Sequence, residues 1–345
     1  MSVKFHHDRD RPPQPGASSG CADGAAPDLV IGLLNNMPDA ALQATERQFH
    51  SLLSAASAGL SVQLVRCSLS SVPRGEAAKT YLRRNYVDME SLFDAGLDGL
   101  IVTGREPLTP HLRDEPYWDN FAEVLEWARE NTASTIWSCL AAHAAVLHMD
   151  GIQRVRSEQK HCGVFDCSRA SGHVLLSEIP ERFRVPHSRW NGLPKEDLTR
   201  SGYELLALAD DAGVDCFLRE EAGGSLFLFF QGHPEYEPDT LLLEYRRDVL
   251  RFLRGEAAGW PSTPRGILAS LYETSVQEIR RAAPGLPEEE TMARLSALFS
   301  AAAPRNGWHD TARTLYRNWL NHLVDQKARR RQPANGEAWL VQDMA

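Results

Sequence analysis

With 345 residues, 43% of them hydrophobic and 24% charged, the chain has the composition of a soluble globular protein. It is long enough for one large domain with additions, or for two domains. Its formal net charge is −9 without a long basic tract, which argues against nucleic acid and anionic membrane as partners. No stretch approaches the roughly 18 uninterrupted apolar residues of a membrane span.

Residues 1–27 are polar and rich in Pro, Gly and Ser, the composition of a disordered tail without an apolar signal core. The six cysteines, Cys21, Cys67, Cys139, Cys162, Cys167 and Cys216, are too sparse for a disulfide scaffold. They suit a reducing compartment, and the expectation is a cytoplasmic protein. Cys162 and Cys167, with His161 beside them, lack the second ligand couple of a zinc site, so no metal is expected.

Structure is expected to begin with the apolar run Asp28–Leu34, a central parallel strand, followed by a helix over Ala40–Ala55. A strand at Val62–Cys67, a partly helical stretch at Tyr81–Phe93 and a buried strand at Asp98–Thr103 continue the pattern. Gly104–Pro116 holds three prolines and reads as a loop, and Tyr117–Glu130 is amphipathic with helical spacing. Thr135–Ser138 is β-branched and aromatic, a short buried strand, and the Ala-rich Leu140–Leu147 is a closely packed helix. This alternation predicts an α/β fold, an open, mostly parallel sheet with helices on both faces, whose ligands gather at the carboxyl ends of its strands.

Beyond Gly151 the pattern changes to short strands, with candidates at Gly163–Phe165, His173–Leu176, Tyr203–Leu208, Asp215–Arg219 and Leu226–Phe230. A helix follows at Thr240–Leu253, and two prolines in Gly259–Pro264 mark the start of an extension. Residues 265–302 read as helical with breaks at Pro284 and Pro287, and Trp308–Val324 as helical again. The resulting division is a tail over 1–27, a main domain over 28–258, a helical extension packing on the core over 259–325, and a solvated tail over 326–345. The charge run at Lys327–Arg331 falls in that last segment.

Cys139 sits where the strand Thr135–Ser138 turns into the helix. A thiol on such a turn is pushed out of the sheet, and the first helical amides and the helix dipole favour a thiolate or an oxyanion there. Read alone, Cys139 fits either an activated nucleophile or a small buried residue. A nucleophile needs a base, and His233 has the better setting among twelve histidines: it follows an apolar strand, beside Gly232, with Glu235 two residues on. Alone, it also fits a surface turn. His143 and His148 read as structural.

Thr135-Ile-Trp-Ser-Cys-Leu-Ala-Ala-His and Gly232-His-Pro-Glu-Tyr236 resemble the class I glutamine amidotransferase fold. Within it, the chain is most similar to the homoserine O-acyltransferase family of methionine biosynthesis, of the O-succinyltransferase type. The likeness runs in order through Ile31–Pro38, Gly99–Gly104, Pro116–Trp118, Val124–Trp127, Pro186–Arg189, Gly232–Tyr236, Arg247-Asp248 and Asn318–Asn321. It covers about residues 28–325.

That resemblance implies a ping-pong transfer from acyl-CoA, as co-substrate, to the hydroxyl of homoserine, with no bound cofactor and small molecules as partners. Cys139 matches the nucleophile, His233 the base, Glu235 the group that orients it, and the backbone amide of Leu140 the oxyanion donor. Lys160, Ser188 and Arg247 match substrate-binding positions; without the resemblance, Lys160 and Arg247 read as solvated charges. Family members are often dimers, which makes a homodimer the expectation. The chain departs from the family in Thr103-Gly-Arg-Glu-Pro107, in Leu140 after the nucleophile, and in an insertion near 265–305. At the position that selects the acyl donor it carries Leu108, where the family has Gly for succinyl or Glu for acetyl. A Leu there shortens and dries the acyl pocket, which disfavours a charged tail. Another hydroxy amino acid such as serine as acceptor, or a glutamine amidotransferase-like hydrolysis, is the alternative.

Overall fold

The computed structural model describes residues 3–6, 26–302 and 307–331. One ten-stranded sheet runs through the chain in the order β1-β3-β2-β4-β5-β10-β9-β8-β6-β7. Its parallel part comprises β1 (Lys4–Phe5), β2 (Leu29–Leu34), β3 (Val62–Cys67), β4 (Gly99–Thr103), β5 (Ser134–Ser138) and β10 (Leu226–Phe230). The antiparallel part is β6 (Val155–Arg169), β7 (Arg182–Gly192), β8 (Glu204–Ala209) and β9 (Gly213–Glu220), joined to the rest through β9 against β10. The expected open, mostly parallel sheet with helices on both faces is what the chain forms.

The two faces follow from side-chain alternation along each strand. Leu100, Val102, Trp137, Phe227 and Phe229 point to one face, under α3 (Met89–Phe93), α4 (Trp118–Asn131), α5 (Leu140–Asp150) and α6 (Lys195–Arg200). Ile101, Ile136 and Leu228 point to the other, under α1 (Leu42–Ala56) and α10 (His309–Arg331). α2 (Glu76–Asn85) leads into the first group. A third cluster joins α7 (Thr240–Leu253), α8 (Ser270–Ala282) and α9 (Glu288–Ala302), with Tyr245, Val249, Val276 and Leu295 at its centre.

Several segments differ from the sequence reading. Within the expected tail, Lys4–Phe5 pairs with β3 as an edge strand, and the Phe5 ring lies 4.0 Å from the Arg66 guanidinium. The remainder of that tail, residues 7–25, lies outside the described residues. At the other end, α10 continues to Arg331, so the charge run is helical. Lys327 Nζ reaches Asp98 Oδ2 at 2.7 Å and the Asp28 carbonyl at 2.8 Å. Residues 332–345 are outside the described residues. The expected strand at His173–Leu176 is a 3-10 turn, because His173 Nδ1 accepts the Leu175 amide at 3.2 Å.

Candidate active site

The carboxyl ends of β4, β5 and β10 bring Gly104, Cys139 and Gln231–His233 to one edge of the sheet. Cys139 caps α5 at φ 53° and ψ −113°, a left-handed conformation that costs a non-glycine residue on the order of 1–3 kcal/mol. Its amide donates to the Phe230 carbonyl at 2.7 Å, so the turn hangs from the adjacent strand. The amides of Ala142 and His143 fold back onto the Cys139 carbonyl, at 3.0 and 3.4 Å. Those of Leu140 and Ala141 come ahead of the first intrahelical acceptor and are the helix donors open to a ligand. Gly104 lies against them: a Cβ there meets Leu140 Cβ at 2.5 Å and Ala141 N at 2.7 Å.

His233 is fixed from three sides. Its amide donates to the Pro186 carbonyl at 2.8 Å, its Nδ1 meets Glu235 Oε1 at 2.8 Å, and its ring stacks on Tyr236 at 4.2 Å. Nε2 is thereby left for the Cys139 sulfur, whose charge acts on the ring. Burial alone pushes the imidazolium pKa down. The charges of Cys139 and Glu235 and the hydrogen bond to Glu235 outweigh burial and hold it well above the ordinary histidine value. Thiol, imidazole and carboxylate therefore stand in the order that acid–base chemistry at sulfur needs. Trp308 Nε1 donates to the Tyr236 carbonyl at 3.0 Å, which ties the segment ahead of α10 to this loop.

Beneath His233 lies a group that the sequence reading missed. Cys167, His187 and Asp215 are buried with their donor atoms within 4.8 Å of one another. Arg189 Nε donates to His187 Nδ1 at 3.3 Å, which puts the histidine proton on Nε2, 3.1 Å from Asp215 Oδ1. That tautomer has no lone pair at Nε2 for a metal, so the set fits a buried Arg–His–Asp charge cluster rather than a metal centre. A Cβ on Gly232 meets Asp215 Oδ1 at 2.4 Å, so the cluster forms the floor under the His233 loop. Gln231 locks the same loop: its Oε1 accepts from the Leu193 amide and meets His143 Nε2, both at 3.0 Å, and its Nε2 donates to the Val214 carbonyl at 2.7 Å. Burial pushes the His143 pKa down to about 3, and it is a neutral, structural side chain.

Lys160, Ser188 and Arg247 converge a short way off. Lys160 Nζ binds Asp248 Oδ2 at 2.7 Å, while Arg247 Nε and Nη2 bind Oδ1 at 3.0 and 2.9 Å. Burial works against the charge on Lys160, yet Cys162, Asp248 and Glu244 outweigh it and raise its pKa. Ser188 donates to Glu244, whose other oxygen accepts the Tyr236 hydroxyl at 2.8 Å. Glu244 carries no signal of its own in the sequence and Asp248 only its place beside Arg247 in the matched stretch, although the three share one helical face by i, i+3 and i+4 spacing.

Leu108, which the resemblance puts at the donor-selecting position, is 54% exposed. Its backbone amide donates to the buried Glu115 Oε1 at 2.7 Å, alongside the Thr109 amide at 2.8 Å. Glu115, rather than Leu108, organises this loop.

The homoserine O-succinyltransferase family profile matches residues 19–330. The chain belongs to the homoserine O-succinyltransferase family. It is accordingly an acyltransferase. A homoserine O-succinyltransferase of Rhodopseudomonas palustris is 46% identical over 302 residues, 88% of this chain and 90% of that one. Another, from Bradyrhizobium japonicum, is 40% identical over 94% of this chain and the full length of that one. Among solved structures, a glutamine amidotransferase from Methylobacillus flagellatus covers 85% of this chain and 94% of its own. Its TM-score is 0.47 at 12% identity, too weak a likeness to add to the strand order itself.

Proposed function

We propose that this chain transfers a succinyl group from succinyl-CoA to the hydroxyl of L-homoserine through a thioester on Cys139. The observation that carries the reading is the line Cys139–His233–Glu235 across the ends of β5 and β10, with Glu235 held 2.8 Å from the histidine Nδ1. Family membership supplies the reaction class.

In this reading His233 holds the proton that the Cys139 thiol gives up. The sulfur attacks the thioester carbonyl of the donor, and the Leu140 amide at the start of α5 receives the oxyanion. Collapse breaks the bond to CoA, whose sulfur takes the proton from His233 and leaves as free CoA. His233 is now neutral and takes the proton of the acceptor hydroxyl as its oxygen attacks the Cys139 thioester. Breaking the carbon–sulfur bond restores the starting pair. Lys160 and Arg247 hold the acceptor carboxylate, where a guanidinium fork can meet both oxygens, and Ser188 lies beside them. The substrates are small molecules, and we place the reaction in the cytoplasm, which suits the free cysteines Cys67, Cys139, Cys162, Cys167 and Cys216.

The test is turnover of succinyl-CoA with L-homoserine, with L-serine and L-glutamine in parallel. Free CoA and O-succinylhomoserine form in the first mixture. Ammonia from glutamine, with no CoA released in any mixture, overturns the reading.

A further inference from the structure

Arg154 lies just ahead of β6, in a segment that folds back along α5: the amide of Ile152 donates to the Val146 carbonyl at 3.3 Å. The next residue, Val155, pairs with Gly192, and Leu193 beyond it donates to Gln231, the side chain that also meets His143. Arg154 is thus delivered to the flank of the Cys139–His233 edge. Its charge is favoured by Tyr117 and Glu115, both in the turn ahead of α4, opposed by Arg156, and favoured by Cys139 at the start of α5. Among the described residues, no carboxylate stands within ion-pair distance of it, whereas Arg247 and Arg251 both have one.

Arg105 acts on the same tyrosine from just beyond the end of β4. It follows Gly104, whose backbone lies against the first residues of α5, and its Nη1 is buried without a hydrogen-bond partner. Both arginines act on the buried Tyr117. Glu115 is the anion of this group, and its Oε1 is already taken by the Leu108 and Thr109 amides and the Thr109 hydroxyl. Arg105 and Arg154, with Arg156 acting on Arg154 as a further like charge, outnumber that one carboxylate, in a half-buried place where an unpaired guanidinium is costly.

We infer that Arg154, with Arg105, receives the distal carboxylate of a dicarboxylic acyl group while that group is carried on Cys139. This rests on the thioester reading above and gives it a donor specificity. Length decides between the anions that reach the site. The far carboxylate of a succinyl group is three carbon–carbon bonds of about 1.5 Å from the thioester carbon, within reach of an arginine flanking the thiol. The phosphates of CoA are held away by the whole pantetheine arm, and the acceptor carboxylate has Lys160 and Arg247. The contact also outlasts CoA, so the charge stays neutralised until the acceptor arrives. Leu108, with its side chain in solvent, is no obstacle to a charged tail.

Butyryl-CoA has nearly the shape of succinyl-CoA without the carboxylate. The experiment compares single-turnover acylation of Cys139 by the two donors, read by intact mass, in the wild-type chain, Arg154→Gln and Arg154→Lys. Wild type is acylated faster by succinyl-CoA. Arg154→Gln loses about 10- to 100-fold with succinyl-CoA, the range of a charge-assisted hydrogen bond, and stays within about twofold of wild type with butyryl-CoA. Arg154→Lys regains part of the preference. Equal loss with both donors, or an unchanged preference in Arg154→Gln, overturns the inference and leaves the thioester reading standing. A wild-type chain that takes an acyl group from neither donor overturns the thioester reading, and this one with it.

Discussion

Replacing Gly104 by alanine tests how closely the chemistry depends on backbone placement. The added Cβ falls 2.5 Å from Leu140 Cβ, 2.7 Å from Ala141 N and 2.9 Å from Leu140 Cα. Comfortable carbon contacts lie at about 3.5–4.0 Å, so roughly 1 Å is missing. All three atoms belong to the first turn of α5 and none can swing aside, so loop or helix must shift. Overpacking of this kind costs about 1–3 kcal/mol of stability. A displacement of about 1 Å at reacting groups costs on the order of 10²-fold in rate. The assay is stopped-flow release of CoA in the absence of acceptor, followed by release of the acyl group to homoserine. In the proposed reaction both half-reactions pass through an oxyanion at the same amides, so both slow by about 10²-fold. Thermal unfolding should move down by several degrees. A variant with wild-type rates and melting temperature would refute the argument that Gly104 sets the oxyanion site.

Glu235→Gln leaves the His233 ring in place but removes the charge that holds it protonated. Turnover should fall by about 10²- to 10⁴-fold with little change in either KM, measured by steady-state kinetics. Glu46→Ala leaves Arg66 buried without its carboxylate, since the pair is only 6% and 3% exposed. Chemical denaturation should show a loss of about 3–5 kcal/mol. Acid should destabilise the fold through two buried neutral histidines, His143 with its pKa lowered to about 3 and His187 to about 4, both by burial. Each contributes stability that is fully present above the unfolded value of about 6.5 and is lost as pH falls toward the folded value. Urea titrations between pH 6.5 and 4 should show a slope of up to about 1.4 kcal/mol per pH unit for each; a flat profile in the His143→Gln, His187→Gln double variant identifies them.

Much of the parallel sheet was legible because each strand is a short apolar run followed by an amphipathic helix, and Cys139 and Gly104 fall where such runs stop. β7 escaped notice because Arg182, Arg184, Pro186 and Arg189 break up its apolar residues. Its partner β6 is charged and largely exposed over its first half, so the ribbon depends on pairing across the sheet rather than on local pattern. The buried charges were hidden for the same reason. Arg66 and Glu46 lie 20 residues apart, and His187 reaches Asp215 across the sheet. Lys160 and Arg247 could be picked out by resemblance, but their shared partner Asp248 emerges only from the packing of α7 on β6. The exposure of Leu108 follows from Glu115 drawing the loop backbone inward, a contact no spacing rule announces.

The proposed reaction depends first on Cys139 carrying the acyl group. The direct measurement is the intact mass of the purified chain after mixing with succinyl-CoA in the absence of acceptor. The chain should gain one succinyl group, mapped to Cys139 by peptide analysis and discharged on addition of L-homoserine, and Cys139→Ala should gain none. A Cys139→Ala chain that is succinylated as fully as wild type, or a wild-type chain that turns over without acquiring the group, would contradict it.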